Sequence, residues 1–257
     1  MHGERGVDAF TCPACGAPVT YRDGALRCTR CSEEVPVVDG VPRYPVSVDQ
    51  PTGPAAFDAL STIYETPLWF PLVYRIIGGP RAPADDRPAI ADLLDATGGR
   101  VLDVACGTGR FTRYVAAEAA FAWGVDVSGG MLRRAVRYAD RAGRTNVAFA
   151  RMSADDLQFA RDWFDAVACC WAFHLFPDRP AVLAAIRRVL SPGGRFAGTT
   201  LCGGSVLAAP GARRWLERTR GIHVFDADEL RALLVQVGFT DVELAARGAA
   251  LFFGARA

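Results

Sequence analysis

Lysine is absent from this chain of 257 residues; all 29 of its Lys-plus-Arg positions are arginine. A Schiff-base nucleophile, a pyridoxal phosphate anchor, a P-loop lysine and a protein-kinase lysine are therefore all excluded. A dominant charge is missing too, because the formal net charge is only +1. No global field draws the chain onto nucleic acid or an anionic bilayer. No apolar run reaches the roughly 18 residues that span a membrane, and the opening MHGERGVDAF has no signal-like apolar core. A cytoplasmic chain without membrane insertion is expected. With 51% hydrophobic and 22% charged residues, it has enough apolar matter for one sizeable core plus a small appendage.

The eight cysteines fall into two sets. Cys106, Cys169, Cys170 and Cys202 are scattered among apolar neighbours, whereas Cys12, Cys15, Cys28 and Cys31 form two C-x-x-C turns across a hairpin pattern. Two such turns can aim four thiolates at one point, the S4 donor set of a structural zinc with no open coordination position. Two disulfides are disfavoured in a cytoplasmic chain. A thioredoxin-like redox motif needs one C-x-x-C on a βαβ unit.

Around these cysteines, Asp23-Gly24 and Asp39-Gly40 mark hairpin turns, so residues 1–46 read as a β-rich module too small to fold without a metal. Residues 47–98 read as a linker followed by an interrupted helical segment rich in aromatics. Tyr64, ahead of Trp69, Phe70 and Tyr74, is its best candidate for a lid residue, with plain core packing the alternative. From residue 99 to 257, short apolar runs alternate with amphipathic helices, the pattern of a parallel sheet covered on both faces. Strands are expected near 100–104, 121–126, 146–150, 164–170, 195–201, 241–245 and 249–254. Ser191-Pro-Gly-Gly194 reads as the stop after the preceding helix. Residues 202–225 carry no strand signal and read as an insertion capping a substrate.

The stretch Arg100-Val-Leu-Asp103-Val-Ala105-Cys106-Gly107-Thr108-Gly109 is a strand running into a glycine turn and a helix. Gly107 and Gly109 let backbone approach a ligand closely at the carboxyl end of the first strand. Asp126 closes the next strand, where a carboxylate can take both hydroxyls of a ribose. Asp103, just before the turn, is poorly placed beside a pyrophosphate but suited to a cationic amino-acid tail. A ligand carrying an ammonium group is favoured over a dinucleotide.

These residues resemble the first motif, V-L-D-x-G/A-C-G-T-G, of the class I S-adenosylmethionine-dependent methyltransferases, with Ala105 where many members have glycine. The resemblance implies a Rossmann-like α/β fold with a seven-stranded methyltransferase sheet and S-adenosylmethionine as cofactor. It implies that Asp103, Ala105, Gly107 and Gly109 hold the methionine moiety and Asp126 the ribose, with Val125, Val127 and Met131 lining the adenine slot. Phe149 to Phe159 resembles the third motif, G-D-A-x-x-L-P-F, which assigns Ser153 and Ala154 to the adenine, although serine replaces the usual aspartate. Phe164 to Asp178 resembles the fourth, whose strand end at Cys170 faces the transferring methyl. The segment CPACGAPVTYRDGALRC with PVVDGVPRY is similar to the zinc ribbon ahead of many bacterial methyltransferase domains.

Within the superfamily the sequence looks most like the ubiquinone/menaquinone-biosynthesis type, which implies a small-molecule acceptor. If that acceptor is a hydroxyl or an acidic carbon, His174 is the natural base and His223 a second candidate, with a purely structural role the alternative for each. Two other readings stay open. One is an rRNA or tRNA methyltransferase gripping RNA through the ribbon, although residues 1–46 hold five arginines against six acidic residues and lack the basic stripe phosphate binding needs. The other is a non-catalytic, cofactor-binding regulatory protein.

Overall fold

The computed structural model describes residues 6–46, 85–203 and 210–257. Tyr64, Trp69, Phe70 and Tyr74, the expected lid aromatics, lie outside the described residues, as does most of the linker and lid span 47–98.

The N-terminal module is a four-stranded antiparallel sheet in the order β1 (Val19–Arg22), β2 (Ala25–Cys28), β3 (Glu34–Val38) and β4 (Val41–Pro42). Its hairpins turn where the sequence placed them. Asp23 and Gly24 both have positive φ, 50° and 79°, and Asp39 and Gly40 repeat this at 55° and 75°, the conformation that matches the twist of a two-residue hairpin.

The larger sheet comprises β5 (Arg100–Val104), β6 (Phe121–Asp126), β7 (Val147–Arg151), β8 (Phe164–Cys170), β9 (Leu190–Leu201), β10 (Thr240–Arg247) and β11 (Ala250–Arg256). Their spatial order is β10-β11-β9-β8-β5-β6-β7. The five strands from β5 to β9 run parallel, and β11 pairs antiparallel with both β9 and β10. Parallel strands covered on both faces must be apolar on both, and four of the five residues of β5 are buried. The chain moves outward from β5 through β6 to β7, then returns to lay β8 on the other side. That reversal opens a crevice at the carboxyl ends of β5 and β8.

The helices are α1 (Arg87–Leu94), α2 (Arg110–Val115), α3 (Gly129–Arg141), α4 (Arg179–Val189), α5 (Pro210–Arg220) and α6 (Ala227–Gln236). Side-chain caps start several of them. The Ala181 N–H donates to Asp178 at 3.0 Å, and Asp226 with Glu229 forms a capping box at the start of α6. Helix α1, inside the span expected to be linker and lid, buries Ile90 and Leu94. Residues 202–225 contain α5 where no strand was expected. Among the described residues no helix is long and apolar enough to cross a membrane.

One expectation needs correction. Ser191-Pro-Gly-Gly194 does not stand before the fifth strand of this sheet but inside it, because β9 already pairs at Leu190. Leu190 lies opposite Phe164 and Arg195 opposite Ala166, so the loop is an excursion within one strand, turned by Gly193 at φ 76°.

The small sheet shares its core with the large one. Phe10, Val19, Leu26, Val35 and Tyr44 belong to the same buried cluster as Leu102, Trp123, Phe159 and Phe164. Single-residue bridges join Phe10 to Phe159 and Arg43 to Arg151, so the module closes over the exposed side of β7.

Candidate active site

The glycine turn bends where the sequence requires it. After β5 the backbone is left-handed at Ala105 (φ 56°), Gly107 (55°) and Gly109 (72°). At Gly109 space matters as well as conformation, since a Cβ there would sit 2.9 Å from the Phe149 ring and 3.2 Å from the Ala135 Cβ. Ala105, a non-glycine residue in this region, stores about 1–2 kcal/mol of strain.

Two carboxylates flank the turn. Asp126 ties it down, accepting the Gly107 N–H on Oδ2 at 2.9 Å and the Ser128 N–H on Oδ1 at 2.8 Å. Asp103 is 1% exposed. Its Oδ2 accepts the Thr112 hydroxyl at 2.6 Å, whereas its Oδ1 is buried without a hydrogen-bond partner. Burial raises the Asp103 carboxyl to about 7, a rise the Thr112 hydrogen bonds limit and the Asp126 charge reinforces. Thr112 is the side chain that orients Asp103.

Asp103, Ala105 and Cys170 line one open cleft together with Cys106, Phe111 and Trp171. Val127 and Met131 follow from the Asp126 turn, where Ser128 caps α3 by accepting the Met131 N–H at 3.1 Å. Across from them Ser153 and Ala154 follow β7, and the Ser153 hydroxyl donates to Asp155. Asp155, two residues on, is exposed and serves as the acceptor of that hydroxyl.

The sequence reading missed a network on the cleft's other wall. Asp86, 1% exposed, accepts the Trp171 indole N–H on Oδ2 at 2.7 Å and Arg110 Nη1 on Oδ1 at 3.0 Å. Arg110 also reaches Asp85 at 3.1 Å. Trp171, like Ala105, is left-handed, with φ 57°. Two strained non-glycine residues thus sit at the ends of adjacent strands β5 and β8, facing the crevice. The one available signal was Arg110 following the glycine turn.

Neither histidine lines this cleft. His174 is 6% exposed, near Thr200 with 3.5 Å between Nδ1 and the hydroxyl, and burial, with Arg179 and His223 nearby, pushes its imidazole down to about 3. His223 donates its backbone N–H to the His174 carbonyl at 2.9 Å. Its ring lies between Glu229, 2.7 Å from Nε2, and Glu217, 3.5 Å from Nδ1, linking α5 to α6.

The four N-terminal cysteines converge. Sulfur separations are 3.6 Å for Cys12–Cys31, 3.5 Å for Cys15–Cys28 and 3.6 Å for Cys15–Cys31, and all four sulfurs lie within 4.8 Å of one another. Tetrahedral zinc with bonds of about 2.3 Å needs sulfurs about 3.8 Å apart. Backbone N–H groups of Arg30 and Cys31 point at Cys28 Sγ, each at 3.3 Å, and lower its thiol pKa. The donor set is compatible with zinc.

A parallel sheet reversed at a glycine turn, with a carboxylate at the end of the second strand, defines a Rossmann-like nucleotide-cofactor domain. A methyltransferase-domain family model matches residues 101–194, the span from β5 into β9. An O-methyltransferase of Aspergillus nomiae is 33% identical over 59% of this chain and 68% of its own length. The chain belongs to the class I S-adenosylmethionine-dependent methyltransferase family. A demethylmenaquinone methyltransferase of Symbiobacterium thermophilum is 40% identical over 43% of this chain, and the match spans 45% of that enzyme, about half its length. In fold, the chain is similar to phosphoethanolamine N-methyltransferase 2 of Haemonchus contortus, solved with S-adenosyl-L-methionine, at a TM-score of 0.62 and 20% identity over 84% of this chain and 61% of that one.

Proposed function

We propose that this chain binds S-adenosylmethionine at the ends of β5, β6 and β7 and transfers its methyl group to a small-molecule acceptor, with a structural zinc in the N-terminal ribbon. The observation that carries this reading is the orphaned Oδ1 of Asp103 beside the glycine turn. A buried carboxylate oxygen without a donor is costly, and the ammonium group of the cofactor supplies the missing donor. Asp126, at the end of β6 and fixed by two backbone N–H groups, is the carboxylate that would take the ribose diol. Val127 and Met131 on one side, with Ser153, Ala154 and the Asp155 that Ser153 holds on the other, would enclose the adenine.

The bound cofactor supplies an electrophilic sulfonium methyl. The chain's share is to orient the acceptor and exclude water, and Cys170 with Trp171 is assigned that wall. His174 is assigned to shape the acceptor side and His223 to hold α5 against α6; neither is given a proton-transfer role. The demethylmenaquinone methyltransferase among the relatives favours a quinone-like or related small acceptor. The near-neutral ribbon, with five arginines against six acidic residues in 1–46, favours no RNA partner, and the chain is assigned to the cytoplasm.

The test is to supply methyl-labelled cofactor and the protein to a host extract, then separate RNA, protein and small molecules. Label in the small-molecule fraction is expected. Label in RNA would replace this reading with RNA methylation, and label in none would favour the non-catalytic regulator. Metal analysis should return about one zinc per chain.

A further inference from the structure

The ribbon grips both segments that would enclose the adenine. Phe10, 2% exposed, stacks on Phe159 with ring centroids 5.1 Å apart. Backbone bonds close on either side of this pair, from the Thr11 N–H to the Gln158 carbonyl at 3.0 Å and from the Ala160 N–H to the Ala9 carbonyl at 3.0 Å. They fix the far end of segment 153–160, whose near end carries Ser153 and Ala154. That segment contains no helix or strand, only a turn, a bend, one bridge residue and irregular backbone, so its shape is set by what it packs against.

A second clamp acts where β7 ends. The Tyr44 N–H donates to the Arg151 carbonyl at 3.0 Å, and the Tyr44 hydroxyl donates to the Thr11 carbonyl at 3.1 Å, which ties the two clamps together. Arg151 then reaches forward, its Nε donating to the Val127 carbonyl at 2.9 Å. One continuous path therefore runs from the ribbon to each wall of the slot. It begins one residue from Cys12, itself 1% exposed.

We infer that the ribbon is a positioning element of the cofactor pocket, with Phe10, Tyr44 and Arg151 setting the two walls that hold the adenosine half of the cofactor. The inference rests on the cofactor reading above. It gives the ribbon a task that needs no nucleic acid, and it separates the two halves of the ligand. Asp103 lies in β5 and is oriented by Thr112 of α2, neither of which is on that path, so the amino-acid tail should be indifferent to the ribbon.

The test is calorimetric titration of the full-length chain with S-adenosylhomocysteine and with 5′-methylthioadenosine, which keeps the adenosine but lacks the amino-acid tail. Phe10→Ala loosens the seam. Arg151→Met cuts only the side-chain bond to Val127, so it guards against a Phe10→Ala protein that fails to fold, and thermal unfolding of each variant is measured alongside. Both variants are expected to weaken both ligands by the same factor, about tenfold, whereas Asp103→Asn weakens only the tailed one. A folded Arg151→Met that binds both ligands as tightly as the unaltered protein overturns the proposal, as does a loss confined to S-adenosylhomocysteine. If the unaltered protein binds neither ligand, the cofactor reading itself fails and the proposal falls with it.

Discussion

The indole N–H of Trp171 donates a 2.7 Å hydrogen bond to a carboxylate 85 residues earlier, that of Asp86, which is 1% exposed and holds Arg110 with its other oxygen at 3.0 Å. One buried side chain thus fixes both the residue after β8 and the first residue of α2. Asp86→Ala removes the acceptor of the Trp171 indole N–H and one carboxylate partner of Arg110. The expected loss is about 2–3 kcal/mol, read as a lower denaturant midpoint at unchanged slope. Asp86→Asn keeps one acceptor and should lose about half as much. A loss below about 0.5 kcal/mol in both would mean the pair behaves like a solvent-exposed contact.

The Asp103 carboxyl is held up at about 7 by burial, against an ordinary 3.8. On raising the pH the unfolded chain therefore ionises first. In the ligand-free protein this group's contribution is fully present below about pH 4, is lost as the pH rises, and is gone above about 7. An ammonium ligand favours the carboxylate and reverses the dependence. Affinity for S-adenosylhomocysteine should rise between pH 5 and 7, approaching about tenfold per unit at the acid end. 5′-Methylthioadenosine should show no such rise, nor should Asp103→Asn with either ligand. Calorimetry in buffers of different ionisation enthalpy would register the released proton; a flat profile for the tailed ligand removes Asp103 from its site.

The strands of the large sheet were legible because a strand buried on both faces must be written as an apolar run, and β5, β6 and β8 begin and end where those runs do. The hairpins were legible from Asp-Gly pairs, whose chemistry is local. Local chemistry misled at Ser191-Pro-Gly-Gly194, because the pairing of Leu190 with Phe164 comes from the neighbouring strand. The Asp86–Trp171–Arg110 network was missed for the same reason, since its one signal, Arg110 after the glycine turn, does not specify partners so distant in sequence. The Ser153–Asp155 hydrogen bond was not legible, because a motif is read by position and this contact depends on how the turn after β7 folds. The four cysteines needed no tertiary information beyond one hairpin.

Ala105 adopts φ 56° where the family pattern admits glycine. A left-handed alanine costs about 1–2 kcal/mol, and glycine would return about 0.5–1 kcal/mol of that as extra freedom in the unfolded chain. Ala105→Gly should therefore stabilise the protein by up to about 1 kcal/mol. Gly109→Ala should do the reverse by about 2 kcal/mol or more, adding a methyl 2.9 Å from the Phe149 ring to the same backbone penalty. Denaturant unfolding measures both. A destabilised Ala105→Gly would show that the methyl's packing outweighs the strain.

Burial, reinforced by Arg179 and by His223, holds the His174 imidazole down at about 3, below its ordinary 6.5. The folded protein keeps this ring neutral while the unfolded chain protonates it. Its contribution to stability is thus fully present above about pH 6.5 and is lost as the pH falls towards 3. His174→Asn should flatten the acid limb of the stability profile over that window, measured by denaturant unfolding at each pH. It should leave no altered limb near pH 6.5 in the rate of methyl transfer, because a ring so weakly basic cannot take a proton near neutrality. An ascending limb at pH 6–7 that disappears in His174→Asn would return the ring to the role of base, and would require the bound acceptor to open a path from the cleft to a side chain that is 6% exposed.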